Sequence, residues 1–212
     1  MIQGAVGQVE AILDKLDDIT NASSLVETNT KLMAVCCHPH PQHGGAMGTK
    51  VIYTAARSLA GLGIPSLRFN FRGVGQSEGR FDEGKGEQQD LIAAVAWMRQ
   101  QYPEHDLLLA GFSFGAYISA LQATHLKAKG LILIAPPVGR MDFSTITKAA
   151  PTSLIIQGDE DELVEVEAVK RWVKTLSTPV EFQIFAKASH FFHGRLLDLR
   201  QQIEVFVSQQ LF

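Results

Sequence analysis

The pentapeptide Gly111-Phe112-Ser113-Phe114-Gly115 has the spacing G-x-S-x-G and lies between the apolar run 107–110 and the small-residue stretch 116–123. This pattern can hold a serine hydroxyl out for attack. A tight strand-to-helix turn forces the serine into a strained backbone conformation, so the residues two positions away on either side must lack bulk. Gly111 and Gly115 meet that demand. The same five residues also fit an ordinary strand ending in a glycine turn. The flanks favour the nucleophile elbow, because an apolar strand pattern leads into Ser113 and a helical pattern leads out of it.

A serine hydroxyl is a weak nucleophile at neutral pH, so it needs an imidazole to take its proton and a carboxylate to orient that imidazole. On a parallel sheet with a nucleophile elbow, the chain order is serine, acid, histidine. The apolar run 153–157 ends in a loop that carries Asp159, Glu160, Asp161 and Glu162. Asp161 is the preferred acid and Asp159 the second choice. Glu162 and Glu165 read as acidic residues favoured by the dipole at the start of a helix. His190 is the first histidine after the last apolar strand pattern and is the expected general base, ahead of His193. His105 and His125 read as surface residues at element ends.

Hydrolysis of an acyl group through a tetrahedral intermediate also requires two backbone amides aimed at the oxyanion. The residue after the serine, Phe114, supplies one. The other should come from an early loop, His38-Pro39-His40-Pro41-Gln42-His43-Gly44-Gly45, where only His40 has an amide hydrogen between the two prolines. The prolines would stiffen that loop. A rival reading uses the imidazoles of His38, His40 and His43 as zinc ligands, but it leaves the elbow unexplained, and no metal or other cofactor is expected.

Other signals have structural readings. The stretch from Arg72 to Gly79 resembles a dinucleotide loop, but Glu78 stands where the third glycine of G-x-G-x-x-G belongs, so it reads as a turn beside the site. Phe191 and Phe192 either line a pocket or anchor the final helix, with packing the better reading. Cys36 and Cys37 are adjacent in a strand pattern, where side chains point to opposite faces, so they read as two buried thiols.

The elements that must position these groups are visible in the hydrophobic pattern. Strands are expected at 8–13, 25–28, 32–37, 66–71, 106–110, 130–135, 153–157 and 180–185. Helices are expected at 50–62, 87–101, 116–124, 164–175 and 194–208. Such alternation implies an α/β fold with a mostly parallel central sheet flanked by helices on both faces. Ser113 would then lie near the middle of the sheet, at the carboxyl end of a strand, where ligands bind in such folds. The 212 residues are 46% hydrophobic and 19% charged, with no Ser/Gly/Pro-rich linker, and residues 1–212 are expected to form a single domain. A net charge of -3 with scattered Lys and Arg gives no basic stripe for nucleic acid. The N-terminal residues lack a signal-peptide pattern and no apolar stretch reaches ~18 residues, so no membrane partner and a cytoplasmic protein are expected.

Taken together, His38 to Pro41 with Gly44 and Gly45, Arg68 to Ser77, Gly111 to Gly115, Gly158 to Asp161 and Ser189 to His193 make the chain resemble an α/β-hydrolase, end to end. It is most similar to the small lidless branch with an H-P-H-P loop. Position by position, the resemblance assigns the family's serine to Ser113, its acid to Asp161 and its base to His190. Relatives with cysteine at the elbow are dienelactone hydrolases and those with aspartate are haloalkane dehalogenases, so Ser113 implies esters, thioesters or amides. The resemblance implies a carboxylesterase-like serine hydrolase that cleaves a small carboxylic ester or thioester through an acyl-enzyme on Ser113. Only residues 136–150 separate two strand patterns where larger relatives insert a lid, so an open site suited to short acyl groups is expected. A peptidase or amidase using the same parts, and a hydrolase fold kept for binding a partner without turnover, are the alternatives. Monomer and homodimer are both open.

Overall fold

A computed structural model of the protein describes residues 1–16 and 31–212. The strand expected at 25–28 lies outside the described residues.

The chain opens with two short strands, β1 (Ile2–Gln3) and β2 (Gln8–Val9), paired with each other, and β3 (Ala11–Asp14). The pattern at 8–13 is therefore split at Glu10, whose carboxylate accepts the Asn70 side-chain amide and the Gln76 backbone N–H. Then come β4 (Leu32–Cys37), α1 (Lys50–Gly61), β5 (Ser66–Phe69), α2 (Lys85–Gln101), β6 (Asp106–Phe112), α3 (Phe114–Gln122) and β7 (Gly130–Ile134). The chain finishes with β8 (Thr152–Gly158), α4 (Val166–Val173), β9 (Glu181–Phe185) and α5 (Leu196–Gln210).

Among the described residues these strands form a seven-stranded sheet in the order β3-β5-β4-β6-β7-β8-β9. Only β3 runs antiparallel to its neighbour; all other pairs are parallel, as the alternating pattern predicts. After β4 the chain steps to β5 on one side, then crosses back so that β6 lies on the other. That reversal opens a crevice at the carboxyl ends of β4 and β6, which carry the His38–Gly45 loop and the Ser113 turn.

Both faces of the sheet are covered. Leu32, Ala34 and Cys36 of β4 pack with Ile52 and Leu59 of α1 and Ile203 and Phe206 of α5. Met33, Val35 and Cys37 face the other way, toward Leu91 and Met98 of α2, Ile118 of α3 and Trp172 of α4. The two cysteines are thus buried, free and on opposite faces, and burial raises the pKa of both thiols.

The helix ends differ from the hydrophobic pattern for local reasons. The second helix begins two residues early because the Glu87 carboxylate reaches back to accept the backbone N–H groups of Asp82 and Gly84. The fourth begins at Val166 rather than 164, because Asp161 takes the N–H groups of Leu163 and Val164 into a turn of its own. The crossover between β7 and β8 contains no helix, in keeping with the expected absence of a lid. No helix among the described residues is long and apolar enough to cross a membrane.

The loop that follows β5 is clamped by Arg72, whose guanidinium and backbone N–H all donate to the Asp90 carboxylate of α2. Both side chains are buried, so removing the acid leaves an uncompensated cation in the interior. Asp90→Ala is expected to cost about 3–5 kcal/mol of unfolding free energy in a urea titration. A loss below about 1 kcal/mol would show that the clamp is dispensable.

Candidate active site

Ser113 is the single residue between β6 and α3, with φ 53° and ψ -118°. This left-handed backbone is unusual for a residue with a side chain, and its cost must be met by the packing around it. The surrounding contacts leave no alternative path. A Cβ on Gly115 would fall 2.2 Å from the Cys37 carbonyl oxygen, so the start of α3 touches the end of β4 backbone to backbone. A Cβ on Gly111 would meet the Gly115 carbonyl at 2.3 Å. Both glycines of the motif are therefore required by close approach.

His190, in the loop between β9 and α5, lies with Nε2 3.0 Å from Ser113 Oγ and Nδ1 2.8 Å from Asp161 Oδ2. A carboxylate can only accept, so Nδ1 carries the proton and Nε2 is left to accept the serine hydroxyl. Asp161 is held from all sides. Its Oδ1 accepts the N–H groups of Leu163 and Val164, and its Oδ2 accepts the Gln157 side-chain amide as well as His190. Burial pushes this carboxyl pKa up, but the His190 hydrogen bond and charge, with the two backbone donors, outweigh it and hold it below the usual carboxylate range.

The structure separates the sequence alternatives. Asp159 lies away from the imidazole and instead accepts the Lys187 backbone N–H. Glu162 does not serve as a helix N-terminal acid; its carboxylate accepts the His190 backbone N–H at 3.0 Å, because the helix starts later than the pattern implied. His193 is exposed beside Phe191, and His125 is exposed as expected. His105 is only partly exposed, with its ring against Tyr102. Phe192 is fully buried in the core, whereas Phe191 is exposed at the His190 ring, so the pair divides between the two readings.

Two buried polar residues at the site escaped the sequence reading. Gln157, at the end of β8, donates to Asp161; the signal was an amide at the end of an otherwise apolar strand pattern. His38 was read only as a possible zinc ligand. Its Nε2 accepts the Phe71 backbone N–H, which fixes the tautomer, so Nδ1–H donates to the Pro39 carbonyl at 2.6 Å. His38 thus ties the early loop to the end of β5. The His40 and His43 rings stack 4.3 Å apart, and His40 also packs against Phe114. Among the described residues, the backbone N–H groups of His40 and Phe114 have no acceptor. Ser113 and His190 border a cleft of about 440 Å³ that is also lined by His40, His43, Leu163 and Met141.

Burial lowers the His38 pKa from 6.5 to about 4, against the pull of the Pro39 carbonyl. The unfolded chain takes up this proton first, so the contribution is full above pH 6.5 and is lost as pH falls through about 4. It amounts to about 3 kcal/mol. Urea unfolding of His38→Gln is expected to depend less steeply on pH across that window than wild type. Equal slopes would remove His38 as the source.

Comparison with known proteins places these features in a family. Residues 40–153 match the family model described as serine aminopeptidase, S33. An uncharacterised protein of Rickettsia prowazekii is 36% identical over 185 residues, covering 82% of this chain and 78% of that one. A Xanthomonas campestris structure described as an α/β serine hydrolase without lid is 43% identical with TM-score 0.90, covering 98% of this chain and 92% of that one. A Coxiella burnetii structure described as an α/β serine hydrolase homologue is 47% identical with TM-score 0.87, covering 96% and 94%.

Proposed function

The chain belongs to the serine aminopeptidase S33 family of α/β-hydrolases, and from that premise we propose that it is a serine hydrolase that cleaves a small carboxylic ester or thioester. The observation that carries the reading is the hydrogen-bonded chain from Ser113 through His190 to Asp161. Ser113 Oγ attacks the acyl carbonyl while His190 Nε2 takes its proton. The imidazolium that forms is stabilised by Asp161, which is already ionised and oriented. The oxyanion is received by the amides of Phe114 and His40, which are fixed before charge develops because α3 and the proline-flanked loop hold them. His190 then protonates the leaving group, and water, deprotonated by the same imidazole, releases the acid from Ser113. Residues 1–212 act in this reading as one domain.

A second reading, a peptidase with the same machinery, is favoured by the description of the family model. Amide cleavage asks more of His190 as an acid, since an amine leaves poorly unless protonated.

Short-chain aryl esters, acyl thioesters and aminoacyl anilides separate the two. Ser113→Ala is expected to lower kcat on the best substrate by at least ~10⁴-fold, and Asp161→Asn by about 10⁴-fold with the fold intact. Full activity in Ser113→Ala would overturn the assignment. Faster turnover of anilides than of esters would favour the peptidase.

A further inference from the structure

The cleft over Ser113 has an uneven charge. No Asp or Glu among the described residues lines it, whereas Arg140 does. Arg140 sits in a tight turn of the β7–β8 crossover, where the backbone N–H groups of Arg140 and Met141 both donate to the Pro137 carbonyl. Its side chain is exposed and, among the described residues, makes no ion pair or hydrogen bond. Arg68, Arg72, Arg195 and Arg200 are paired with Asp14, Asp90, Asp198 and Glu204; Arg80 and Arg171 are exposed like Arg140, but of these three only Arg140 lines the cleft.

The acids nearest in sequence to the lining residues are committed elsewhere. Asp142 accepts the Ser144 backbone N–H, Glu162 accepts that of His190, and the Asp161 side chain is fully buried behind the imidazole. Among the residues that line the cleft, a substrate bearing a free ammonium would find no carboxylate and would meet a guanidinium. An anionic group would find a planar donor fork suited to two parallel hydrogen bonds.

We propose that Arg140 is a specificity-determining residue that selects substrates carrying a carboxylate beside the scissile bond, and that aminoacyl substrates with a free amine are disfavoured. This rests on the serine hydrolase reading and narrows its substrate class. The carboxylate can lie on the acyl or the leaving side.

Two ester pairs distinguish those sources: phenyl butyrate against the monophenyl ester of glutaric acid, and methyl 4-butyryloxybenzoate against its free acid. Phenyl propionate against the phenyl ester of alanine tests the amine. In wild type the anionic member of at least one pair is expected to have the higher kcat/KM. Arg140→Gln should lower that anionic-to-neutral ratio by about tenfold, Arg140→Glu further, and added salt should erode it in wild type only. An unchanged ratio in Arg140→Gln for both pairs, or an alanyl ester that outruns its neutral twin, would overturn the proposal. Failure of the underlying reading has a separate sign, turnover of the neutral ester that survives Ser113→Ala. In that event calorimetric affinities of wild type and Arg140→Gln for the non-hydrolysable ketone analogues of the same pairs still decide the Arg140 assignment by the same ratio.

Discussion

The constraint on which the site depends is a contact with no room for a side chain. Where α3 begins, Gly115 meets the carbonyl groups of Cys37 and His38, and any Cβ there would overlap them. This approach fixes the start of α3 against the end of β4, which brings the Phe114 amide toward the loop that carries the His40 amide. A second contact of the same kind joins the acid and base loops: a Cβ on Gly158 would fall 2.1 Å from the Ala188 carbonyl oxygen. The loops bearing Asp161 and His190 are thereby set by their backbones, before any side-chain interaction is counted.

Hydrogen bonding then fixes the side chains. Asp161 has both oxygens occupied by donors, so its charge is satisfied without water and its orientation toward His190 is settled. Glu162 holds the His190 backbone, and the Asp161 bond sets the ring tautomer. On the other side of Ser113, the neutral His38 imidazole bridges the Pro39 carbonyl and the Phe71 amide. Two histidines in one site thus do opposite work: one is buried to stay neutral, the other is placed to exchange a proton.

Much of this was legible in the sequence because it is encoded locally. The all-buried strands read as continuous apolar runs, and G-x-S-x-G named its own turn, although only Gly111 answers to a contact within the motif while Gly115 answers to Cys37 and His38 at the end of β4. Order along the chain narrowed the acid to the loop 159–162 but did not by itself separate Asp161 from Asp159. What was not legible depended on partners distant in sequence. Glu162 acts on a residue 28 positions away, whereas the local pattern, with a helix from 164, implies only a helix N-terminal acid. Likewise the sequence offers His38 no role beyond a disfavoured metal reading, because the Phe71 amide that occupies its ring lies 33 residues on.

His190 activates Ser113, in the proposed reading, across a 3.0 Å hydrogen bond. The most direct measurement is the rate of covalent labelling by an aryl fluorophosphonate, with the modified residue mapped by mass spectrometry, in wild type and His190→Ala. One adduct is expected, on Ser113, formed much more slowly in the variant. An adduct on another residue, or equal rates in both proteins, would contradict it.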